Sequence, residues 1–125
     1  MKHIAIGENH LYSKAYNKGA KFVGKYVVVY VLKDLKARLL QKAHPQGLMV
    51  NRIGLTVSKK IGKATVRSRT KRVLREGLRQ AEKVQNIKKG NLIVLVARQS
   101  TIGAKSTDIA SDLLKAFFKL KLIEE

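Results

Sequence analysis

The sequence predicts an α+β fold, a single-domain sandwich of one sheet and its helices, in the order α-β-β-(β)-α-β-α. Three observations predict it. Segments with helical periodicity alternate with runs of β-branched residues. One of those runs is apolar throughout, the mark of a strand buried on both faces. The 125 residues, 45% of them hydrophobic and only one a proline, can bury one core and leave little chain for linkers.

Residues 1–7 show no period and read as a flexible tail at the start of a single domain that fills residues 1–125. From about Glu8 to Lys18, Leu11, Tyr12, Ala15 and Tyr16 recur at helical spacing, and Gly19 is placed to stop the helix. Tyr26-Val-Val-Val-Tyr-Val-Leu32 is a strand, with Tyr26, Val28, Tyr30 and Leu32 on one face and Val27, Val29 and Val31 on the other. Lys33 to Gly47 is charged, ends in His-Pro-Gln-Gly, and reads mostly as a loop. A strand over about Asn51 to Ser58 aligns Ile53, Leu55 and Val57. After the basic turn Lys59-Lys-Ile-Gly62, a helix runs from about Lys63 to Val84. Its apolar side carries Val66, Thr70, Val73, Leu74, Leu78, Ala81 and Val84. Leu92 to Ala97 is the doubly buried strand, and a last helix from about Ser106 to Leu122 aligns Ile109, Leu113, Ala116, Phe117 and Leu120.

Charge is the strongest bulk signal. Lys and Arg number 27 against 8 Asp and Glu, a net charge of +19. A bound polyanion relieves the self-repulsion of such a chain and releases condensed counterions. A merely soluble surface mixes both signs. A membrane anchor needs a strongly apolar helix face and a second signal, and no lipidation motif is present. No apolar run has signal-peptide or membrane-spanning length, so the expected location is the cytoplasm. The absence of cysteine excludes disulfides, thiolate nucleophiles and thiolate metal sites.

No catalytic constellation is legible. The acids are scattered, and only Asp108 and Asp112 share a helix face, where interaction with the helix N-terminus accounts for them better than acid-base chemistry. His3, His10 and His44 have no zinc-site spacing. Around Gly62-Lys63-Ala64 a phosphate-binding loop fails, because Val57 stands where its first glycine belongs and Ala64 where its magnesium-binding hydroxyl belongs. The expectation is no catalytic residue and no metal ligand in the chain itself.

Between Lys59 and Arg79 lie Lys59, Lys60, Lys63, Arg67, Arg69, Lys71, Arg72, Arg75 and Arg79, opposed by Glu76 alone. A solvated helix face normally carries acidic partners at i+4. Guanidinium forks match phosphate oxygens, and a helix packed on a sheet fixes them in space. The backbone N–H groups at the helix start add to the anion-binding character.

The same stretch carries a family resemblance. Arg52-Ile-Gly-Leu-Thr-Val-Ser-Lys-Lys-Ile-Gly-Lys-Ala64, followed by Val66-Arg-Ser-Arg-Thr-Lys-Arg-Val-Leu-Arg-Glu76, resembles the signature of the bacterial ribonuclease P protein subunit. That signature is approximately R-x-G-x-x-V-S-K-K-x-G-x-A-V-x-R-N-R-x-K-R-x-x-R-E. Leu11-Tyr-Ser-Lys-Ala-Tyr-Asn-Lys-Gly19 is similar to the family's E-F-x-x-V-F-x-x-G, and Leu92 to Arg98 to its D-I-V-V-I-A-R-P. The resemblance spans about residues 8 to 120. Ser68 replaces the asparagine of R-N-R, Thr65 replaces a valine, and Gln99 stands at the expected proline.

The resemblance implies a protein cofactor for a catalytic RNA subunit. That RNA, with bound Mg2+, hydrolyses a phosphodiester to release the 5′ leader of precursor tRNA. It gives Arg67, Ser68, Arg69, Lys71, Arg72 and Arg75 the role of binding the RNA subunit, with Lys59, Lys60 and Lys63 beside them. It gives Tyr12, Tyr16 and Tyr30 a cleft for the leader, where aromatic faces stack bases without selecting among them. Tyr26 has no counterpart there and reads as core. It also implies an uncommon left-handed β-α-β crossover. No protein partner is evident. A ribosomal-type structural protein explains the charge but not the ordered match, and a protein-only nuclease lacks the acidic cluster to hold magnesium.

Overall fold

Val, Ile and Leu fill β5 (Asn91–Ala97), and the other strands assemble around it. On one side it pairs in parallel with β4 (Asn51–Thr56), which pairs in parallel with β1 (His3–Ala5). On the other side it pairs antiparallel with β3 (Val27–Lys33), which pairs antiparallel with β2 (Ala20–Val23). The sheet order is therefore β1-β4-β5-β3-β2. The chain, a computed structural model describing residues 3–123, adds α1 (Asn9–Lys18), α2 (Ala37–Ala43), α3 (Ala64–Val84) and α4 (Ser106–Lys119).

Period two explains why both faces of β5 are covered. Ile93 and Leu95 join Val27, Val29 and Ile53 beneath α3 and α4, with Leu74, Leu78, Ile109, Leu113 and Phe117 above them. Leu92 and Val94 face the other way, against Leu11 and Ala15 of α1. Alternation thus divides one sheet between a large core under two helices and a small one under α1. Helices α3 and α4 approach closely at Gly77, where a Cβ would lie 2.6 Å from the Ile109 side chain.

The hand of the β4-α3-β5 unit follows from residue chirality. In an L-residue of an upward strand whose side chain faces the viewer, N–H and C=O point right. Ile93 and Leu95 face α3 and α4. Their neighbour two along, Asn91, sends its N–H to the Asn51 side chain, so the odd residues of β5 point toward β4. The Arg98 N–H reaches Tyr26 O, so the even ones point toward β3. Seen from the α3 side, β4 therefore lies right of β5, and the chain crosses leftward in front of the sheet. The crossover is left-handed, the uncommon sense.

The expected elements recur with altered ends, and four expectations change. The tail expected over residues 1–7 is wrong at His3–Ala5, which forms β1 (Met1 and Lys2 lie outside the described residues). The loop expected over Lys33 to Gly47 contains α2, whereas Ala20–Val23 is the optional further strand of the expected order. Tyr26 lies just before β3, so it packs against the larger core, as core was expected, and not on the face of Tyr30. Val84, assigned to the apolar side of α3, is 65% exposed at the helix end.

Candidate nucleic-acid interface

Helix α3 shows two chemically opposite sides. Thr70, Leu74, Gly77, Leu78 and Ala81 are buried against the sheet and α4, while Ser68, Arg69, Arg72, Arg75 and Arg79 are exposed. Arg67 and Lys71 sit at the boundary and are half-buried, and Arg67 Nε is enclosed without a hydrogen-bond partner. Lys59 and Lys60 occupy a single 3-10 turn before the helix, and they and Lys63 are exposed. Among the described residues, Arg79 is the one exposed arginine of α3 with an acidic partner, Glu76 one turn before it. That contact holds the Glu76 carboxyl below the usual range. No side chain caps the N-terminus of α3, and its first turn holds no acid. The structure thus brings the predicted cations onto one element and its approach, with the charge facing outward.

Beside α3, where β1 ends and β4 becomes the edge of the sheet, lies a groove of about 610 Å³. Lys71 and Arg75 form one wall, Gly54 and Leu55 of β4 the floor, and Tyr12 of α1 the far side. Tyr12 therefore joins the cationic helix to the aromatic face. His3 and Glu82 close the other end, Nδ1 lying 3.0 Å from a carboxylate oxygen.

The three predicted tyrosines share the α1 side of the sheet. Tyr12 and Tyr16 are one helical turn apart. Tyr16 meets Tyr30 edge to face, with ring centroids 5.0 Å apart. Tyr16 Oη lies 2.9 Å from Thr56 Oγ1, and Lys21 Nζ stands 5.9 Å from the Tyr30 ring centre. Burial and the neighbouring Tyr16 raise the Tyr12 hydroxyl pKa above its ordinary value. The absence of a side chain at Gly54 makes room for Tyr12, because a Cβ there would lie 2.5 Å from its hydroxyl. Gly54→Ala is therefore expected to cost about 1–3 kcal/mol through overpacking. Urea denaturation checks this, and adding Tyr12→Ala is expected to recover most of the loss. Wild-type stability of Gly54→Ala would show that Tyr12 does not rest there.

Sequence reasoning did not single out Thr56 or Lys21, whose positions in strands carry no local signal. It counted Arg79 among the cations without assigning it a site, and Arg79 lines the groove.

Four carboxylates are engaged away from this surface. Asp34 and Glu8 hold Arg52, and Asp108 accepts the Lys105 N–H at the start of α4. Asp112 accepts three backbone N–H groups from Lys25, Tyr26 and Val27. The two aspartates once paired by spacing thus serve separate structural ends. Among the described residues no three acids or histidines gather as a metal site, so this donor set does not fit magnesium. Among the same residues no helix is long and apolar enough to cross a membrane.

Residues 1–121 match the family model described as Ribonuclease P. The ribonuclease P protein component of Clostridium acetobutylicum is 36% identical over 123 residues, covering 98% of this chain and 93% of that protein. That of Alkaliphilus oremlandii is 34% identical, covering 94% and 91%. The fold is similar to that of the Staphylococcus aureus RNase P protein, with a TM-score of 0.72 at 24% identity over 98% of this chain and 100% of the other. It is also similar to the Thermotoga maritima protein, with a TM-score of 0.70 at 24% identity over 92% and 96%. The chain belongs to the ribonuclease P protein-component family.

Proposed function

We propose that this chain is the RNA-binding cofactor of ribonuclease P, which removes the 5′ leader of precursor tRNA by endonucleolytic hydrolysis in the cytoplasm. The outer face of α3 binds the catalytic RNA subunit. The Tyr12, Tyr16 and Tyr30 cleft binds the leader. The RNA carries the chemistry and holds the Mg2+, for which the scattered carboxylates among the described residues are unsuited. One observation carries the reading: a helix anchored by a buried face presents a row of arginines with a single acidic partner. Such a row neutralises a phosphate backbone at fixed spacing.

Cleavage of precursor tRNA, measured with protein alone, RNA subunit alone and both together, tests it. The protein alone is expected to be inert, and the pair to cleave faster than the RNA. Cleavage by the isolated protein, or no effect on the RNA, would overturn the reading. For the cleft, Tyr16→Ala is expected to weaken precursor binding by about 1–3 kcal/mol, the worth of one stacked base, and to spare mature tRNA. Equal losses for both would remove the leader from the cleft.

A further inference from the structure

Stacking explains why a cleft is aromatic, but it does not explain hydroxyls. Tyr12 and Tyr16 stand where the family pattern quoted above has phenylalanine, and Tyr16 Oη is bonded at 2.9 Å to Thr56 Oγ1 in an exposed position. Two hydroxyls in mutual contact use one proton and one lone pair. A second proton and several lone pairs remain for a third group. Next to this pair lie the Tyr16 and Tyr30 rings, 5.0 Å apart, and the Lys21 ammonium, 5.9 Å from the Tyr30 ring centre. A nucleotide has three parts, and each finds its complement here. The base has aromatic faces, the phosphate an ammonium group, and the sugar a pair that both donates and accepts.

We infer that the Tyr16–Thr56 hydroxyl pair binds a ribose 2′-hydroxyl of the strand in the cleft and makes that cleft selective for RNA over DNA. This rests on the reading of the cleft as the leader site. The sugar is favoured over a base edge by chemistry. Base edges differ in their donors and acceptors, whereas the 2′-hydroxyl is the same on every ribonucleotide and both donates and accepts. A rotatable hydroxyl pair matches it without choosing a sequence. The same bond also holds the Tyr16 ring toward Tyr30, so one contact orients the stacking face and reads the sugar.

The test uses the assembled protein and RNA subunit with precursor tRNAs carrying a single 2′-deoxy substitution at successive leader positions. At one position the wild-type complex is expected to bind the deoxy substrate about fivefold to tenfold more weakly, the loss of one net hydrogen bond. Tyr16→Phe and Thr56→Val should each bind the all-ribose substrate correspondingly more weakly and show no deoxy penalty. Thr56→Ser should retain the penalty. The inference is overturned by the absence of any position at which the wild type distinguishes the sugars, or by a penalty that persists in both Tyr16→Phe and Thr56→Val. A dependence on base identity in place of sugar would also overturn it, in favour of base-edge reading. The leader-site reading fails separately. It is lost if Tyr16→Ala and Tyr30→Ala leave the preference for precursor over mature tRNA unchanged.

Discussion

Asp34→Ala is expected to destabilise the isolated protein by about 3–5 kcal/mol, the cost of leaving a buried guanidinium without its counter-ion. Arg52 is 5% exposed and Asp34 3% exposed. Their contact is bidentate, Nε to Oδ2 at 2.7 Å and Nη2 to Oδ1 at 2.8 Å, and Nη1 reaches Glu8 at 3.3 Å. One side chain on β4 thus ties the segment before α1 to the segment after β3, which fixes α1 and its tyrosines over the sheet. Burial pushes the Asp34 carboxyl up. The Arg52 fork, the Lys36 N–H and the charges of both residues outweigh that and hold it below its ordinary value. A depressed acid stabilises the fold fully above its unfolded value of about 3.9. That contribution is lost as pH falls through the lower folded value. Wild type and Asp34→Ala should therefore differ most in urea denaturation at neutral pH and begin to converge only below about pH 4. A loss under about 1 kcal/mol at pH 7 would mean that the pair is not desolvated in solution. Replacing both residues with apolar ones of similar volume should recover much of the loss.

The elements legible in the sequence are those whose own residues repeat a packing face. Helix α3 shows its stripe through Thr70, Leu74, Leu78 and Ala81 because that side rests on the sheet and α4. Strand β5 shows an unbroken apolar run because helices cover both faces. Strand β1 was missed for the opposite reason. His3–Ala5 is three residues long, and its partner is Asn51–Ile53, so nothing local distinguishes it from a tail. Strand β2 has four residues, three of them exposed, and shows no alternation. Helix α2 leaves Leu39 64% exposed, so its leucines form no stripe that faces a core. The left-handed crossover is a property of three elements together, and only the family resemblance anticipated it.

The candidate site divides in the same way. Its cations were legible because they are contiguous in sequence and lack acidic partners. The aromatic trio was legible only through resemblance, because Tyr30 reaches Tyr16 across the sheet-helix contact. The floor at Gly54 and the hydroxyl partner Thr56 depend on which face of β4 meets α1. That is a tertiary fact. The role of Arg52, which the family pattern marks as fixed, emerged from the structure as a buried anchor with no direct part in the cationic surface.

The other large effect is expected on the outer face of α3. Replacing Arg69, Arg72 and Arg75 together with alanine should reduce affinity for the RNA subunit by about 1.5 kcal/mol or more per lost charged contact. The log–log salt slope should fall by about three, near one for each phosphate released. All three side chains are exposed, and the opposite side of the helix holds the packing, so urea denaturation should find the fold intact. Arginine to lysine at the same positions separates charge from geometry. It should preserve the salt slope, which counts charges, while losing affinity wherever a guanidinium fork grips two phosphate oxygens. Should the triple alanine variant bind with unchanged affinity and slope, this face does not meet the RNA. Should alanine and lysine variants lose equally, geometry and not charge dominates the contact. The difference between the two sets therefore measures how far α3 acts as a rigid ruler for phosphates and how far as a diffuse positive field.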